Sequence, residues 1–417
     1  MTLSGSHMTR RSGWILFAIL IAAFAARFIL IARLDHRIVY SDEKKNLTLA
    51  ANLTDGTGYV LDDGRPTAVI PAGYPLWLAA LRLAGLDQPG EIRLVQVGLS
   101  LLTLITLFGF ARSLFGVPAA LATAAGCALY PYFIFLPGTI LATTLFSLQL
   151  VLGCWLYLQA ISNNNNKLLF FDGIIWGWAV LTVTTAGVLA GATLLWHACH
   201  FRSGGRALLR QAALFLTGMM LVLLPWMIRN QVKLGHAVLA TNGGYNLWLG
   251  NNPHSNLDEP CSQLTPPEMD ADIIRSDSEV FADSLFRATA RSWILAHPGA
   301  FVRRSMLKAL YFWRLDPSPV TASYLHGGAW IRVAGLLSFT PLLALAFWGF
   351  RKAPPAVRKR LLLFLYYAVA FTVVHAVMIV KVRFRLPLDH LVVMMAAYGL
   401  IAASTSRRKR FMERTRP

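Results

Sequence analysis

Asp42 and Glu43 are adjacent carboxylates a few residues beyond the first long apolar run, and a pair placed there admits two chemistries. One is helix capping, with Ser41 or Asp42 as the cap and acidic charge favoured at the positive end of a helix. The other is general-base catalysis, in which a carboxylate takes the proton of an acceptor hydroxyl within hydrogen-bond reach. Both readings stand at this level. The complementary charge lies far along the chain, in Lys381-Val-Arg383-Phe-Arg385-Leu-Pro387, just before the last apolar run. Guanidinium forks match phosphate oxygens in pairs, so Lys381, Arg383 and Arg385 are candidate ligands of a phosphate; acidic lipid headgroups are the plainer partner. Arg65 is a fourth phosphate candidate, at the head of the Pro/Gly-rich string that runs to Pro71-Ala-Gly-Tyr74-Pro75. That string reads either as a rigid turn or as a pocket wall to which Tyr74 belongs.

A third group pairs amides with aromatic rings. Pro225-Trp226-Met-Ile-Arg229-Asn230 closes one apolar run, and Thr241-Asn242-Gly-Gly-Tyr245-Asn246-Leu-Trp248-Leu-Gly-Asn-Asn-Pro253 follows shortly after. Arg229, Asn242, Tyr245, Asn246 and Trp248 suit sugar hydroxyls and ring faces; the same types also build ordinary turns. His197 and His200 share a helix end without a third ligand nearby, and a divalent ion at Asp42 and Glu43 would find no complete ligand set, so no metal is expected, nor any cofactor. His375 reads as a packed polar residue, and Asp270, Asp272 and Asp277 as a solvated acidic loop. Cys127, Cys154 and Cys199 fall in or beside apolar runs and Cys261 in a polar loop, which argues against a disulfide framework.

The elements that must position these groups are membrane helices. Of 417 residues, 56% are hydrophobic and 14% charged, too little polar surface for a protein dissolved in water. The charge of +19 does not point to nucleic acid, because the basic residues gather at the ends of apolar runs, as charges that hold helix ends at a membrane do. About ten apolar segments are expected, near 13–33, 92–111, 116–132, 137–160, 169–184, 186–200, 211–228, 328–349, 361–380 and 387–404. With the N-terminus in the cytoplasm, Arg112, Lys167, Arg202, Arg206, Arg210, Arg351, Lys352 and the basic tail all fall on one side. Two long polar segments, 34–91 and 230–327, then fall on the opposite, periplasmic side, where loops of such length are usually functional. The first should hold a helix over 43–53 and an amphipathic stretch over 75–86; the second should hold helices over 279–297 and 298–313. The whole chain, 1–417, is read as one all-α polytopic domain.

These strings, in this order, resemble the GT-C superfamily of membrane glycosyltransferases. The branch most similar contains the bacterial protein-mannosyltransferase-like and aminoarabinose-transferase-like enzymes. The resemblance rests on Ser41-Asp42-Glu43 with Leu49-Ala-Ala-Asn-Leu53, Pro66-Thr67, Pro71 to Pro75, Pro225 to Asn230, Thr241 to Asn251 and Arg383-Phe-Arg385-Leu-Pro387. It implies a large first periplasmic loop with surface helices, an essential acidic residue at its start that maps to Asp42 with Glu43 beside it, and a polyprenyl-phosphate sugar donor used with inversion. Lys44-Lys45 directly after the acidic pair departs from the pattern, and the soluble C-terminal domain of longer relatives is expected to be missing.

The expected activity is therefore transfer of a sugar from a polyprenyl phosphate to a lipid, glycan or protein acceptor, at the periplasmic face of a bacterial inner membrane with both termini cytoplasmic. A phosphate leaving group needs no general acid, so one base and a set of cations suffice. The partners are the lipid-linked donor, membrane lipids and a periplasmic acceptor, with no nucleic acid. The rival reading is a transporter or flippase of lipid-linked sugars, which would favour matched halves that this chain does not show. A non-catalytic scaffold is a third.

Overall fold

Runs of apolar residues of bilayer length become long helices, because a helix satisfies its own backbone donors and acceptors where water is absent. The computed structural model describes residues 8–34, 38, 40–200, 204–255, 278–314 and 329–414, and their regular structure is helical apart from one bridge between Val60 and Pro66. In chain order the helices are α1 (Arg10–Leu34), α2 (Ser41–Thr54), α3 (Gly73–Leu83), α4 (Pro89–Phe115), α5 (Val117–Leu129), α6 (Pro131–Phe135), α7 (Thr143–Ser162), α8 (Asn166–Thr182) and α9 (Ala186–His200). They continue as α10 (Gly205–Leu234), α11 (Gly243–Gly250), α12 (Glu279–Ala296), α13 (Pro298–Phe312), α14 (Ala329–Lys352), α15 (Pro355–Val377) and α16 (Val382–Arg414).

Six described helices are long and apolar enough to cross a membrane: α1, α4, α7, α10, α15 and the Val382–Thr405 part of α16. A bent pair, α5 with Pro131–Gly138, makes a seventh if it counts as one span. The chain is a multi-pass membrane protein, but ten spans are not reached by length and apolarity alone. The segments expected at 169–184 and 186–200 form helices of 17 and 15 residues. Close crossings join the bundle: a Cβ on Gly173 would meet the Phe215 carbonyl, and one on Gly218 would meet that of Phe170, so α8 and α10 touch backbone to backbone.

The expected spans at 116–132 and 137–160 are corrected most. The chain bends by 62° between α5 and α6, and α7 starts only at Thr143. Prolines are the cause: Pro131 has no N–H for the Cys127 carbonyl one turn back, and a 3₁₀ turn, Leu136–Gly138, contains Pro137. Polar side chains from other helices occupy the groups freed there. Arg27 of α1, fully buried, donates through Nη2 to Cys127 O at 3.1 Å and through Nη1 to Ala128 O at 3.5 Å and its own Ala23 O at 3.0 Å. Its Nε donates to Ser100 Oγ of α4 at 2.9 Å. From α4, Arg93 Nε reaches Gly138 O at 2.9 Å, while Gln96 Nε2 donates to Pro137 O at 3.0 Å and Thr139 O at 2.8 Å. Arg27→Leu is expected to lower the thermal midpoint in detergent, at about 1–3 kcal/mol for each buried carbonyl left without a donor. An unchanged midpoint would show that the bend stands without it.

Segment 34–91 carries α2 and α3, close to the expected 43–53 and 75–86. Acidic Asp42 and Glu43 occupy the first turn of α2, and Gly56, at φ +80°, follows its end. Gly73 starts α3 against Thr182, where a Cβ would lie 2.6 Å from the backbone nitrogen. In segment 230–327 the expected 279–297 and 298–313 appear as α12 and α13. Residues 256–277 lie outside those described, so Cys261, Asp270, Asp272 and Asp277 do too.

Candidate active site

Successive residues of a helix point about 100° apart, so the acidic pair that opens α2 cannot work as a pair. Glu43 turns inward and is fully buried. Its Oε2 accepts from Tyr40 N at 2.9 Å and its Oε1 from Ile140 N at 2.8 Å, tying α2 to the strap after the 3₁₀ turn. Asn46 Nδ2 adds a bond to Ile140 O at 3.4 Å. The geometry thus corrects the expectation of a second reacting carboxylate: Glu43 holds α2 in place. Glu43→Gln leaves an amide N–H₂ facing a backbone N–H, so it is expected to cost about 1–3 kcal/mol of stability. Turnover per folded molecule should fall far less than for a change at Asp42; a loss as large as that at Asp42 would return Glu43 to the chemistry.

Asp42 turns outward, with its side chain 40% exposed. Its Oδ2 accepts a 2.7 Å charge-assisted bond from Arg383 Nη2, although 341 residues separate them. The cation is delivered by an extra turn of helix: α16 begins at Val382, not at Pro387, so Arg383 sits in its first turn above the rings of Tyr40 and Phe384. Burial alone would raise the Asp42 pKa, but the charge and hydrogen bond of Arg383, followed by the charges of Lys381 and Lys45, hold it below the ordinary 3.8. Lys381 is lowered from its usual range by burial and by Arg383, with Asp42 acting the other way. The structure thus brings Asp42 and Arg383 together, with Lys381 near enough for its charge to act on both.

Arg385, two residues on, does not join them. It is fully buried, with Nε on Asp389 Oδ1 at 2.9 Å and Nη1 on Phe312 O at 3.1 Å and Arg314 O at 2.8 Å. Its guanidinium lies 3.8 Å from the centre of the Phe339 ring, and Tyr130 Oη donates to the other Asp389 oxygen at 3.1 Å. The expected phosphate ligand is instead half of a buried ion pair.

Arg65 is also elsewhere. It is exposed, near Asp63 Oδ2 at 3.8 Å, and lines a cleft of about 660 Å³ with Thr67, Lys233 and Glu279. Arg229 and Asn242 serve the framework. Arg229 donates to Thr67 O at 2.8 Å and Tyr59 O at 2.9 Å, and Asn242 Nδ2 to Val69 O at 2.8 Å. Both stitch the two polar segments together, which their amide and guanidinium types did not distinguish from sugar contacts. Tyr74 is buried, its hydroxyl donating to Gln96 Oε1 at 3.0 Å. Tyr245 and Trp248 stack at 6.3 Å on α11 beside Phe286, with Trp248 buried, Tyr245 half-buried and Asn246 half-buried on the same helix.

Three residues were given no site role by the sequence. Glu279, at the start of α12, accepts from Thr67 Oγ1 at 2.6 Å, Ala68 N at 2.7 Å and Thr241 Oγ1 at 2.9 Å, locking segment to segment. Asp283, one turn later, caps α11 by accepting from Gly244 N at 2.6 Å and Tyr245 N at 3.2 Å. Lys308 of α13 is buried among carbonyl oxygens. The acid-after-serine pattern at Ser278-Glu279 was visible as a helix start; the distant partners were not. No group of three or more metal-ligating side chains occurs among the described residues.

The arrangement is that of a polytopic membrane protein in which the carboxylate that opens α2 meets a cation at the start of α16. The family model described as dolichyl-phosphate-mannose-protein mannosyltransferase matches residues 72–228, which include neither Asp42 nor Arg383. No curated protein matches the chain. Among solved structures, the oligosaccharyltransferase AglB from Archaeoglobus fulgidus, in complex with an inhibitory peptide and a dolichol-phosphate, is similar at 14% identity and a TM-score of 0.53. The match covers 97% of this chain and 52% of that one. The apo form of the same archaeal enzyme gives 12% identity, a TM-score of 0.53 and coverage of 96% and 51%. ArnT from Cupriavidus metallidurans bound to undecaprenyl phosphate gives 16%, a TM-score of 0.45 and coverage of 94% and 78%. The chain thus spans about half the length of the archaeal structures it matches. It shares the fold of the archaeal enzyme.

Proposed function

We propose that this chain moves a sugar from a polyprenyl-phosphate donor to a hydroxyl-bearing acceptor at the periplasmic face of a bacterial inner membrane. The observation that carries the reading is the 2.7 Å meeting of Asp42 with Arg383, beside Lys381, at the edge of a membrane bundle. It is supported by the family model's description and by the dolichol-phosphate named with the archaeal structure. An apolar groove of about 320 Å³ between α14, α15 and α16, bordered by Trp313, Leu361 and Leu391, suits the isoprenoid carbons of such a donor.

In this reading Arg383 and Lys381 take the phosphate that joins lipid to sugar. Asp42 takes the proton of the acceptor hydroxyl as that oxygen attacks the anomeric carbon. The new carbon–oxygen bond forms on the face opposite the phosphate, the old carbon–oxygen bond breaks, and its electron pair leaves on the phosphate oxygen. The anomeric centre is inverted and no general acid is used. The salt bridge of the free protein gives the cycle an order. Phosphate and carboxylate compete for Arg383, so donor binding releases Asp42 and replaces a cation beside it with an anion, which raises its basicity.

Reconstitution of the purified protein with a labelled polyprenyl-phosphate sugar tests the proposal. Label transferred to an acceptor, with polyprenyl phosphate as the second product, is the expected result. Movement of intact donor across the bilayer without transfer would overturn it in favour of a flippase.

A further inference from the structure

Resting on that reading of Lys381 and Arg383 as the phosphate-binding cations, we infer that Lys308 is a positioning residue for the donor site, with Arg385 as its counterpart across the same connector. The connector is residues 378–381, the four residues that join α15 to α16 and end on Lys381. Its ends are held by one helix, α13.

Lys308 is buried, with 3% of its surface exposed, and its Nζ faces four oxygens. They are Met378 O at 2.7 Å, Val377 O and Gly250 O at 3.2 Å, and Asn251 Oδ1 at 3.4 Å. Three are main-chain carbonyls at the C-terminal ends of α15 and α11, where partial negative charge collects and helical partners run out. An ammonium with three donors suits that cage; a methylene chain would leave the carbonyls bare. Burial, then Arg304 one turn earlier, pulls the Lys308 pKa down to about 8, so the cage holds a cation at neutral pH. Asn251 closes it, donating to Val377 O and Leu247 O at 2.8 Å. Gly250 lies so close that a Cβ there would strike the Met378 carbonyl.

The other end is fixed from the same helix. Arg385, one turn into α16, donates to Phe312 O, the last residue of α13, and to Arg314 O. Between the two anchors, His375 is stacked on Phe312 at 5.4 Å and on Phe384 at 4.8 Å, so one ring from each of α13, α15 and α16 forms a single column. His375 Nδ1 also pairs with Ile379 O at 3.2 Å. Phe384 is the direct neighbour of Arg383. The position of the two cations opposite Asp42 is therefore set by α13, although α13 itself contributes nothing to the phosphate.

The test measures binding of undecaprenyl phosphate in detergent, and KM and kcat for the lipid-linked donor, in Lys308→Met, Lys308→Arg and Arg383→Ala. Lys308→Met should weaken undecaprenyl phosphate binding and raise the donor KM about tenfold or more, with kcat at saturating donor changed much less. Lys308→Arg, which keeps charge and donors, should recover most of the loss. If Lys308→Met does not fold, Lys308→Gln, which keeps two donors, takes its place with the same outcomes. Wild-type affinity in the Lys308 variant, or a fall in kcat at unchanged KM, would overturn the positioning role. Arg383→Ala separates the two ideas: weak binding there beside wild-type binding in Lys308→Met removes only the brace. Normal binding in Arg383→Ala removes the donor site on which the inference rests.

Discussion

Asp42→Asn is expected to lower glycosyl transfer by about 10²–10⁴-fold, the usual contribution of a positioned base. The amide keeps the shape of the carboxylate but cannot accept the acceptor's proton. Binding should respond in the opposite direction. Arg383 spends its Nη2 on Asp42 in the free protein, so weakening that 2.7 Å bond leaves the guanidinium more available to a phosphate. Undecaprenyl phosphate should bind Asp42→Asn at least as tightly as wild type, measured on detergent-solubilised protein. Retained turnover would remove Asp42 from the base role. Weakened binding with lost turnover would instead show that the carboxylate helps to hold the donor, and the exchange of partners proposed for Arg383 would fail.

Arg383→Met should act on both substrate affinity and pH dependence. Loss of a bidentate phosphate ligand is expected to weaken donor binding by about tenfold to a hundredfold, with Arg383→Lys recovering part of it as a point charge. The pH effect follows from Asp42. In the free protein burial raises its pKa, and Arg383, Lys381 and Lys45 more than reverse this. A depressed carboxylate stays charged down to low pH, so the acid limb of kcat/KM should lie below 3.8 in the wild type. Removing Arg383 removes the largest lowering contribution, and the limb should move upward. The same sign holds for stability: the Asp42–Arg383 contact contributes above the unfolded carboxylate pKa and is lost as pH falls through the folded one. A limb that stays in place in Arg383→Met would mean that another group titrates in the wild-type profile.

The sequence showed well what depends on local pattern. The surface helices were legible because each carries its own start: Asp42-Glu43 in the first turn of α2, Ser278 Oγ accepting from Phe281 N at 3.3 Å, and Pro298 opening α13. Asp42 and Arg383 were both legible as opposite charges at the ends of apolar runs. What an apolar run does not reveal is a break within it. Pro131 and Pro137 were in plain sight, but the polar side chains that make the bend affordable come from α1 and α4. α11 read as turns because Gly243-Gly244 open it, and its cap, Asp283, lies 39 residues downstream. Arg385 was misplaced by counting charge alone. Asp389, one turn later on the same helix face, was the sign that this arginine already had a partner.

The buried arginine of the first helix constrains how the protein can be made. Arg27 enters the bilayer with α1, yet two of its acceptors, Cys127 O and Ala128 O, lie about a hundred residues further along and are synthesised later. A guanidinium in hydrocarbon is costly without them, so α1 is expected to keep its charge drawn toward a headgroup, or to stay at the translocation machinery, until α5 emerges. α1 is thus expected to dock only after a helix that follows it in the chain.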